Sequence, residues 1–395
     1  MVIINYVKVV VVGVYNWFAS GVSILGRQDQ PSSAAGTQQR EAKNASPVRS
    51  LLLLPPHQDW KAWDGAPPLD EEDLEKPYRL LSKRGFSWTR LEINGFPANP
   101  AANAHPLFRA IDPFRALRVL LTLRRTDLVV CFFESSALLV VLARRVLGFR
   151  GKVIIVDLGM PGWRPRRMIL DLVVPRADAI LPYSTAQARV IRDTWPNAKR
   201  VIAVQAQVDT EFYAETLDKS DGPVVAIGDD ASRDYTTLLA AARSVPHRII
   251  IRSKLVPLNG LPSNVEIIER LPWRAYRDLI ASASIIVLPM HSVENGGGTS
   301  VLVQAMASGK AVVASASPGI LDYIEDGETA LLVPCGDAGA LAAAVSRLLN
   351  DHDLRCRMGN AARQRALRFN SYEAWANTIE TVANLVINQS PGLVI

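Results

Sequence analysis

The stretch that decides the fold is Ile285–Ala314, IIVLPMHSVENGGGTSVLVQAMASGKAVVA. It begins with an apolar run, continues into a polar loop with three consecutive glycines, and enters a helical segment of small residues that a glycine turn joins to a second apolar run. Short apolar runs separated by a helical segment are typical of parallel strands joined by a crossover helix. The order strand, loop, helix, strand therefore predicts an α/β domain.

The glycine loop predicts a ligand site. Gly296, Gly297 and Gly298 allow the backbone to approach a ligand closely, and Thr299 or Ser300 can cap the helix that follows. The N–H groups and the dipole at the start of such a helix favour an anion, and a nucleotide diphosphate has this charge. A glycine-rich loop alone is also compatible with a tight turn, but its position between two predicted strands favours a binding site.

The same alternation extends along the chain in both directions, with a polar, turn-prone segment at 205–222 between two series of strands. Two such series imply two parallel sheets with right-handed crossovers, and ligands bind beyond the carboxyl ends of strands in sheets of this kind. We therefore predict an α/β fold with two Rossmann-like domains facing a central cleft, followed by C-terminal helices. The predicted strands are Leu51–Leu54, Leu128–Phe133, Val153–Val156, Ala179–Leu181 and Val201–Val204 in the first series, and Val224–Ile227, Arg248–Ile251, Val265–Ile268, Ile285–Leu288 and Ala311–Ala314 in the second.

These patterns divide the chain into four parts. Residues 1–49 are an apolar N-terminal segment and a polar, flexible linker, 50–205 the first domain, 206–370 the second domain, and 371–395 a helical segment that we expect to pack back across the domains. The uncharged run Val9–Gly26 has 18 residues, which just reaches the length that spans a bilayer. It lacks the features of a secretory signal, so a membrane anchor or interfacial segment and a poorly structured extension both stay open.

Composition bounds the class of protein. The chain has 395 residues, 49% of them hydrophobic, and a net charge of +6, which together exclude disorder for most of its length. Its three cysteines are not clustered, so a reducing, cytosolic compartment is the simplest interpretation. Residues 51–205 carry a balance of +8 and residues 206–395 one of −5. An anionic membrane surface is the favoured partner of the basic half, since no zinc-finger spacing or RNA-binding signature supports nucleic acid.

Two motifs of the second half resemble the retaining GT-B glycosyltransferases of family 4, also called group 1. They are Gln304–Val313, QAMASGKAVV, and Gly327–Pro334, GETALLVP. The resemblance covers about residues 200–385 and implies the GT-B fold and a nucleotide diphosphate sugar as donor, without specifying the sugar.

The resemblance has departures at the residues expected to hold the donor. The family pairs two glutamates eight positions apart, whereas Glu294 is followed at that distance by Leu302, and Gln304 stands where the second glutamate is expected. The resemblance implies that Glu294 lies near the donor sugar and acts in catalysis, and that Gln304 contacts the ribose hydroxyls. A glutamine can still accept a hydrogen bond from a hydroxyl, so we interpret the change as a subfamily variant, with a decayed site as the alternative.

A second candidate set begins at Gly228 and resembles the family segment whose cations hold the donor diphosphate. We expect Arg233 and Lys254 to bind the diphosphate, with Arg252 close by, and a solvated turn with an Arg–Asp pair is the alternative. The family needs no metal and no cofactor beyond the donor, because fixed cations and helix N–H groups stabilise the leaving nucleotide diphosphate.

Polar residues also follow the predicted strands of the first domain, where they should face the cleft. They are His57, Glu134, Asp157 and Tyr183–Ser184. Related enzymes often place a histidine near the donor sugar at the position that Asp157 holds here. A carboxylate there could support a developing oxocarbenium charge or act as a general base, and capping of the next turn is the alternative. We expect His57 and Glu134 to line the acceptor side.

Other chemistries find no support in the sequence. The five histidines are scattered and none forms a pair at metal-binding spacing, so no metal site is predicted. Neither a Gly-x-Ser-x-Gly elbow nor a P-loop string occurs, which argues against an α/β-hydrolase or a P-loop NTPase.

The basic half offers a membrane-binding surface. Arginines alternate there with large apolar residues in helical segments, and such helices can lie on an anionic membrane, ordinary surface helices being the alternative. The arginines are Arg115, Arg118, Arg124, Arg125, Arg144, Arg145, Arg164, Arg166 and Arg167.

We therefore expect a glycosyltransferase that moves a sugar from a nucleotide diphosphate sugar to a glycan or lipid-linked acceptor, with retention, in polysaccharide or glycolipid synthesis at the inner face of the cell membrane. A GT-B nucleotide-sugar epimerase and a catalytically inactive assembly partner with the same fold are the alternatives.

Overall fold

The computed structural model describes residues 48–53, 76–90, 121–123, 125–158, 164–214 and 221–388. They form two parallel α/β units, one sheet of five strands and one of six, so the predicted α/β class with two Rossmann-like sheets is confirmed. The N-terminal segment 1–26, His57, Arg115, Arg118 and Arg124 lie outside the described residues.

The first sheet has the strand order β2-β1-β3-β4-β5 and is parallel throughout. Its central strands are buried on both faces, as the continuous apolar runs predict. Helices α1 to α3 connect its strands, and α4 follows the last strand, β5. The strands are Val48–Leu53 (β1), Phe86–Arg90 (β2), Leu128–Phe132 (β3), Lys152–Val156 (β4) and Ala179–Leu181 (β5), and the helices are Lys76–Ser82 (α1), Phe133–Leu147 (α2), Arg164–Val173 (α3) and Thr185–Thr194 (α4).

The second sheet has the order β11-β10-β9-β6-β7-β8 and is also parallel. The four strands Val224–Ile227 (β6), Ile249–Arg252 (β7), Ile285–Leu288 (β9) and Ala311–Ser315 (β10) form its middle. The remaining elements are Val265–Ile268 (β8), Leu331–Val333 (β11), and helices Tyr235–Ala242 (α5), Trp273–Ser282 (α6), Thr299–Ala307 (α7), Ala338–Asn350 (α8), His352–Phe369 (α9) and Tyr372–Ile387 (α10).

The sequence prediction was wrong at three strands. Val201–Val204 is not a strand of the sheet: it runs beside β5, where Val201 forms only an isolated bridge with Ile180. The strands β2 and β11 were missed. β2 alternates apolar and polar residues over five positions, and β11 has only three residues, so neither produces a long apolar run.

Side-chain caps mark the start of several of the described helices. Five helices begin after an Asp or Ser whose side-chain oxygen accepts a hydrogen bond from a backbone N–H of the first turn, an arrangement that satisfies one of the donors left free at a helix start. These caps are Ser184 for α4, Asp234 for α5, Asp337 for α8, Asp351 for α9 and Ser371 for α10.

The chain passes between the two units twice, and the two crossings lie side by side. The Val208 N–H donates to the Asn370 carbonyl oxygen at 2.8 Å, and the Asn370 side chain donates to the Ala206 carbonyl oxygen at the same distance. Helix α10 then returns to the first sheet, where Trp375 and Ile379 pack into the core formed by β3, β4 and β5. The C-terminal helix of the second half therefore completes the core of the first.

Candidate functional site

The glycine loop lies at the carboxyl end of β9 and leads directly into α7. Gly298 has a φ of 84°, in the left-handed region that favours glycine, and it is the residue that precedes the helix. Thr299 and Ser300 are the first two helical residues, so the expectation that one of them caps α7 was wrong. The Thr299 hydroxyl instead donates to the Gly296 carbonyl oxygen at 2.7 Å, and this bond closes the loop on itself.

The loop after β10 holds the glycine loop in place. Ser317 Oγ accepts a hydrogen bond from the Val293 N–H at 3.0 Å and donates to the Val293 carbonyl oxygen at 3.1 Å. The Gly319 N–H donates to the same oxygen at 2.8 Å, and a Cβ at Gly319 would lie 1.8 Å from the Asn295 carbonyl oxygen. Such contacts leave the loop before α7 little freedom, so its N–H groups are held in place before a ligand binds.

Arg233 lies directly against the glycine loop. Its side chain is 2% exposed, its Nε donates to Asp230 Oδ2 at 3.0 Å, and its Nη1 lies 3.3 Å from Met290 Sδ. A Cβ at Gly298 would lie 3.3 Å from Nη1, and one at Gly228 would lie 2.1 Å from Nε. The structure thus brings together the two candidate sets from the sequence, with the guanidinium under the loop. The close approach that Gly228 permits is to Arg233.

Asp229 organises the end of β7. It accepts hydrogen bonds from Arg252 Nη1 at 2.6 Å, from the Lys254 N–H at 2.9 Å and from Ser253 Oγ at 3.2 Å. Burial favours the neutral carboxyl, but the Lys254 N–H, the charge of Arg252 and these hydrogen bonds outweigh it and lower the pKa of Asp229. The Lys254 side chain is exposed, whereas Arg252 is drawn into the ion pair. Lys254 can therefore reach an anion in solvent.

Glu294 and Gln304 lie in different environments. Glu294 is exposed, and its backbone carbonyl oxygen accepts a hydrogen bond from Ser184 Oγ at 2.7 Å. Gln304 is 9% exposed, and its Oε1 accepts a hydrogen bond from Tyr276 Oη at 2.7 Å. The position eight residues before Gln304 holds Gly296. Glu294 thus lies two residues earlier in the loop than the family spacing implies.

Asp157 follows β4 with a φ of 54°, the one positive value at a residue other than glycine in the described part of the chain. Such backbone strain concentrates at functional sites. Burial and then the charge of Asp157 raise the pKa of Tyr183 well above its ordinary value. Tyr183 in turn contacts the glycine loop, since a Cβ at Gly296 would lie 3.0 Å from Tyr183 Cβ. Tyr183, a minor candidate from the sequence, therefore contacts the loop and lies within electrostatic range of Asp157.

Glu134 lies in the first turn of α2, at the carboxyl end of β3, and is 6% exposed. The helix begins directly after the strand, at Phe133, so Glu134 follows the strand as predicted but belongs to a helix. The structure does not describe His57, so its predicted place on the acceptor side is a prediction still.

The first domain contacts the second through the residues that begin α4. The Thr185 N–H and Oγ1 donate to the two carboxylate oxygens of Asp322 at 2.5 and 2.7 Å. Tyr323 Oη donates to the Tyr183 carbonyl oxygen at 2.8 Å and accepts from the Ala206 N–H at 2.9 Å. The strand end that carries Tyr183 and Ser184 is thereby attached to the loops of the second sheet.

Ser232 and His291 are further residues at this edge that the sequence analysis did not select. A Cβ at Gly297 would lie 2.5 Å from Ser232 Oγ, and the His291 N–H donates to the Ser232 carbonyl oxygen at 2.8 Å. Both follow predicted strands, which is the signal that could have identified them.

Within the described ranges, no group of three or more His, Cys, Asp and Glu side chains is arranged to hold a metal ion. Among the helices described, none has the length and apolar character needed to cross a bilayer.

Two of the arginines predicted to face a membrane make contacts within the first unit. Arg144 binds Asp178 and two backbone carbonyl oxygens, and Arg167 pairs with Asp171 and lies over Trp195.

The described residues form two parallel α/β units, with a glycine-rich loop at the carboxyl edge of the second sheet. The fold is similar to that of sucrose-phosphate synthase from Thermosynechococcus elongatus, with a TM-score of 0.64 at 18% identity over 87% of this chain and 100% of that one. Anabaena HepE in complex with UDP-glucose gives a TM-score of 0.61 at 17% identity over 86% of this chain and 100% of that one. The expected GT-B fold is thus confirmed.

The second half of the chain is similar to a known protein family. Residues 253–365 match the family model described as glycosyl transferases group 1, and this match confirms the resemblance predicted from the sequence. The D-inositol 3-phosphate glycosyltransferase of Corynebacterium urealyticum is 24% identical over 238 residues, 57% of this chain and 52% of the relative. The alpha-maltose-1-phosphate synthase of Mycolicibacterium smegmatis is 28% identical over 258 residues, 55% of this chain and 65% of the relative. The chain thus spans about half the length of most of the curated relatives it matches.

Proposed function

We propose that this protein is a glycosyltransferase that moves a sugar from a nucleotide diphosphate sugar to a hydroxyl of a glycan or lipid-linked acceptor, with retention and without a metal. The observation that carries the proposal is the glycine loop at the start of α7 with the Arg233 guanidinium packed against it. Backbone N–H groups at a helix start and a fixed cation stabilise the charge that develops on a leaving diphosphate. The group 1 family match supports the same reaction.

Each candidate residue has a role in this proposal. Gly296, Gly297 and Gly298, with the N–H groups of Thr299 and Ser300, bind the diphosphate. Arg233 and Lys254 supply positive charge, the first from beneath the loop and the second from solvent. The buried Gln304, held by Tyr276, faces the nucleotide, while Gly228 makes room for Arg233.

The reacting carbon lies, in this proposal, between Glu294 and Asp157. Glu294 is attached through its backbone to Ser184 of the first domain, and Asp157 acts electrostatically on Tyr183, which lies against the glycine loop. Both carboxylates are therefore linked to the junction of the two units. Glu134 and His57 belong to the acceptor side of the same cleft.

The cellular setting is part of the proposal. One relative, the capsular polysaccharide biosynthesis glycosyltransferase CapM of Staphylococcus aureus, is 31% identical over 110 residues, 28% of each chain. Together with the basic balance of residues 51–205, it supports polysaccharide or glycolipid synthesis by a cytoplasmic protein bound to the inner face of the cell membrane. Arg144 takes no part in membrane binding, because its guanidinium is occupied inside the first domain.

Donor binding is tested by thermal shift with a panel of nucleoside diphosphates and their sugars, followed by calorimetry with the best ligand. We expect Arg233→Met to weaken binding about 10- to 100-fold, because a charge-assisted interaction with the diphosphate is lost. The matched control is Arg248→Met, since Arg248 pairs with Glu266 at the opposite end of β7 and is 63% exposed. An unchanged affinity in Arg233→Met would remove that residue from the site.

Transfer is tested by following the donor and product with and without acceptor. Glu294→Ala and Asp157→Asn should each lower kcat at least about 100-fold while the nucleotide affinity stays within threefold, because both act on the reacting carbon and neither holds the nucleotide. An epimer that forms without acceptor identifies a nucleotide-sugar epimerase instead. A chain that binds no nucleotide sugar is the assembly partner.

A further inference from the structure

His291 lies at the carboxyl end of β9, between the loop after β6 and the glycine loop. Its N–H donates to the Ser232 carbonyl oxygen at 2.8 Å, and Ser232 Oγ would lie 2.5 Å from a Cβ at Gly297. Its neighbour Met290 contacts Arg233 on one side and Gly298 on the other. His291 is therefore connected to the glycine loop through Ser232 and to Arg233 through Met290. The proposal above assigns both the loop and this cation to the diphosphate.

The ring of His291 lies near a carboxylate. Its Nδ1 lies 3.7 Å from Asp234 Oδ2, and the His291 side chain is 57% exposed against 8% for Asp234. Asp234 is itself held at the start of α5, where it accepts hydrogen bonds from the Thr237 N–H at 3.0 Å and from Thr237 Oγ1 at 2.6 Å. With Nδ1 on the side of Asp234, the opposite nitrogen, Nε2, is presented to solvent.

The positive charges near His291 are either paired or distant, so a further positive charge at this edge is not opposed by an unpaired neighbour. Arg233 is paired with Asp230, and Lys254 lies at the end of a different strand, β7. Ionisable groups near the His291–Asp234 pair include Asp230 and Arg233 on the loop after β6 and Cys335 after β11, whose thiol interacts electrostatically with Asp234. A protonated His291 would therefore bring positive charge to an edge where the buried guanidinium already shares its charge with a carboxylate.

We infer that His291 is a further residue of the nucleotide site and that its protonated ring binds the diphosphate through Nε2–H, with Asp234 as the residue that positions the ring. Histidine side chains gain and lose their proton near neutral pH, so the affinity for a nucleoside diphosphate rises as the pH falls through this range. The inference rests on the proposed function, because that proposal places the diphosphate at the glycine loop.

The experiment is calorimetry with UDP, or with whichever of GDP, ADP and TDP the protein binds best, at pH 6.0 and pH 8.5. The variants are His291→Gln and, as the matched control, His247→Gln, whose ring Nε2 lies 2.8 Å from the Gly222 carbonyl oxygen at the opposite end of β6. We expect His291→Gln to bind about three- to tenfold more weakly than wild type at pH 6.0 and equally at pH 8.5. His247→Gln should bind with the affinity of wild type at pH 6.0 and at pH 8.5. Any effect of pH on the phosphate itself is then the same in all three proteins and does not contribute to their difference.

A second measurement follows the ring directly. The proton signal of His291 Cε1, assigned by its loss in His291→Gln, should change its chemical shift when the nucleotide is bound. Asp234→Asn keeps the cap of α5, since asparagine is an equally good cap, but removes the charge on the side of Nδ1. We expect this variant to bind the nucleotide more weakly than wild type at pH 6.0 and equally at pH 8.5, a change that a purely structural role would not produce.

The outcomes separate the two proposals. If wild type binds a nucleoside diphosphate and His291→Gln shows the same dependence on pH, the role of His291 is wrong and the proposed function stands. If wild type binds none of the four nucleotides at either pH, both are overturned. If the His291 signal does not move on binding, the contact through Nε2 is excluded.

Discussion

The carboxyl edges of the two sheets are built differently. At the second sheet, the loops after β6, β9 and β10 are fastened to one another by contacts among glycines, serines and Arg233. At the first sheet, Glu134 and Asp157 are held at the ends of their own strands, β3 and β4. The second edge is therefore an interlocked platform, which suits the phosphate site proposed above, whereas the first edge carries Glu134 and Asp157 on separate strand ends.

The same difference is visible in the charges. Residues 51–205 carry a balance of +8 and residues 206–395 one of −5, although the diphosphate is assigned to the acidic half. In the proposed site, Arg233 and Lys254 supply the positive charge that the net balance of this half does not. In the basic half, Arg144 is used inside the domain to bind Asp178. The proposed nucleotide site therefore depends on the placement of individual cations and not on net charge.

Gly319→Ala should produce the largest effect, because it breaks the interlocked edge itself. The new Cβ would lie 1.8 Å from the Asn295 carbonyl oxygen, a backbone atom that cannot move without the glycine loop. We expect a loss of about 2–4 kcal/mol in the free energy of unfolding and a loss of measurable nucleotide binding.

The control for this variant is Gly327→Ala, at a φ of 78° with no atom within 4 Å of the added Cβ. It should cost only the backbone strain, about 1 kcal/mol, and leave nucleotide binding intact. Urea unfolding and calorimetry measure both quantities. Equal effects of the two variants would show that the contact with Asn295 is unimportant.

Asp178→Asn tests the internal framework of the first unit. Burial opposes ionisation of Asp178, but Lys199, the Val153 N–H and Arg144 outweigh it and lower the pKa of this carboxyl. We expect a loss of about 2–3 kcal/mol at pH 7, because two cations lose a buried partner. Asp171→Asn, at a half-exposed pair with Arg167, should cost less than about 1 kcal/mol.

The free energy of unfolding of the wild type should depend on pH because of Asp178. Because the folded pKa of Asp178 is lowered, its stabilisation is complete above the unfolded value of about 3.9 and is lost as the pH falls through the folded value. Urea unfolding between pH 7 and pH 3 should therefore show a steeper loss of stability in wild type than in Asp178→Asn. Parallel curves would contradict the prediction.

Asp322→Ala should have the smallest effect, and it tests the contact between the two edges. It removes the carboxylate that accepts from the Thr185 N–H and Oγ1 at the start of α4. We expect a loss of about 1 kcal/mol in the free energy of unfolding, the usual value of a helix cap. Asp193→Ala, at an exposed position near the end of the same helix, should stay within about 0.5 kcal/mol. A cost no larger than that of Asp193→Ala would show that the contact adds no stability.

Much of this architecture was predictable from the chain. Apolar runs such as Val153–Val156 and Ile285–Leu288 are buried on both faces of a parallel sheet, and burial on both faces requires uninterrupted apolar residues. The helix breaks near Asn350–Asp353 and Asn370–Ser371 were predictable because Asp351 and Ser371 cap the helices that follow. The strand Phe86–Arg90 was not, since its polar residues interrupt the apolar run.

The sequence by itself determined the two α/β series, the glycine loop at a strand end and the resemblance of the second half to a known family, because each depends on short-range patterns of residue size and polarity. Only the tertiary structure decided that Arg233 lies beneath Gly298, that Tyr183 lies against Gly296, and that Asp234 lies near the ring of His291. These contacts join loops that are far apart in the chain. Sheet order brings such loops together, and strand order cannot be derived from the periodicity of any single segment.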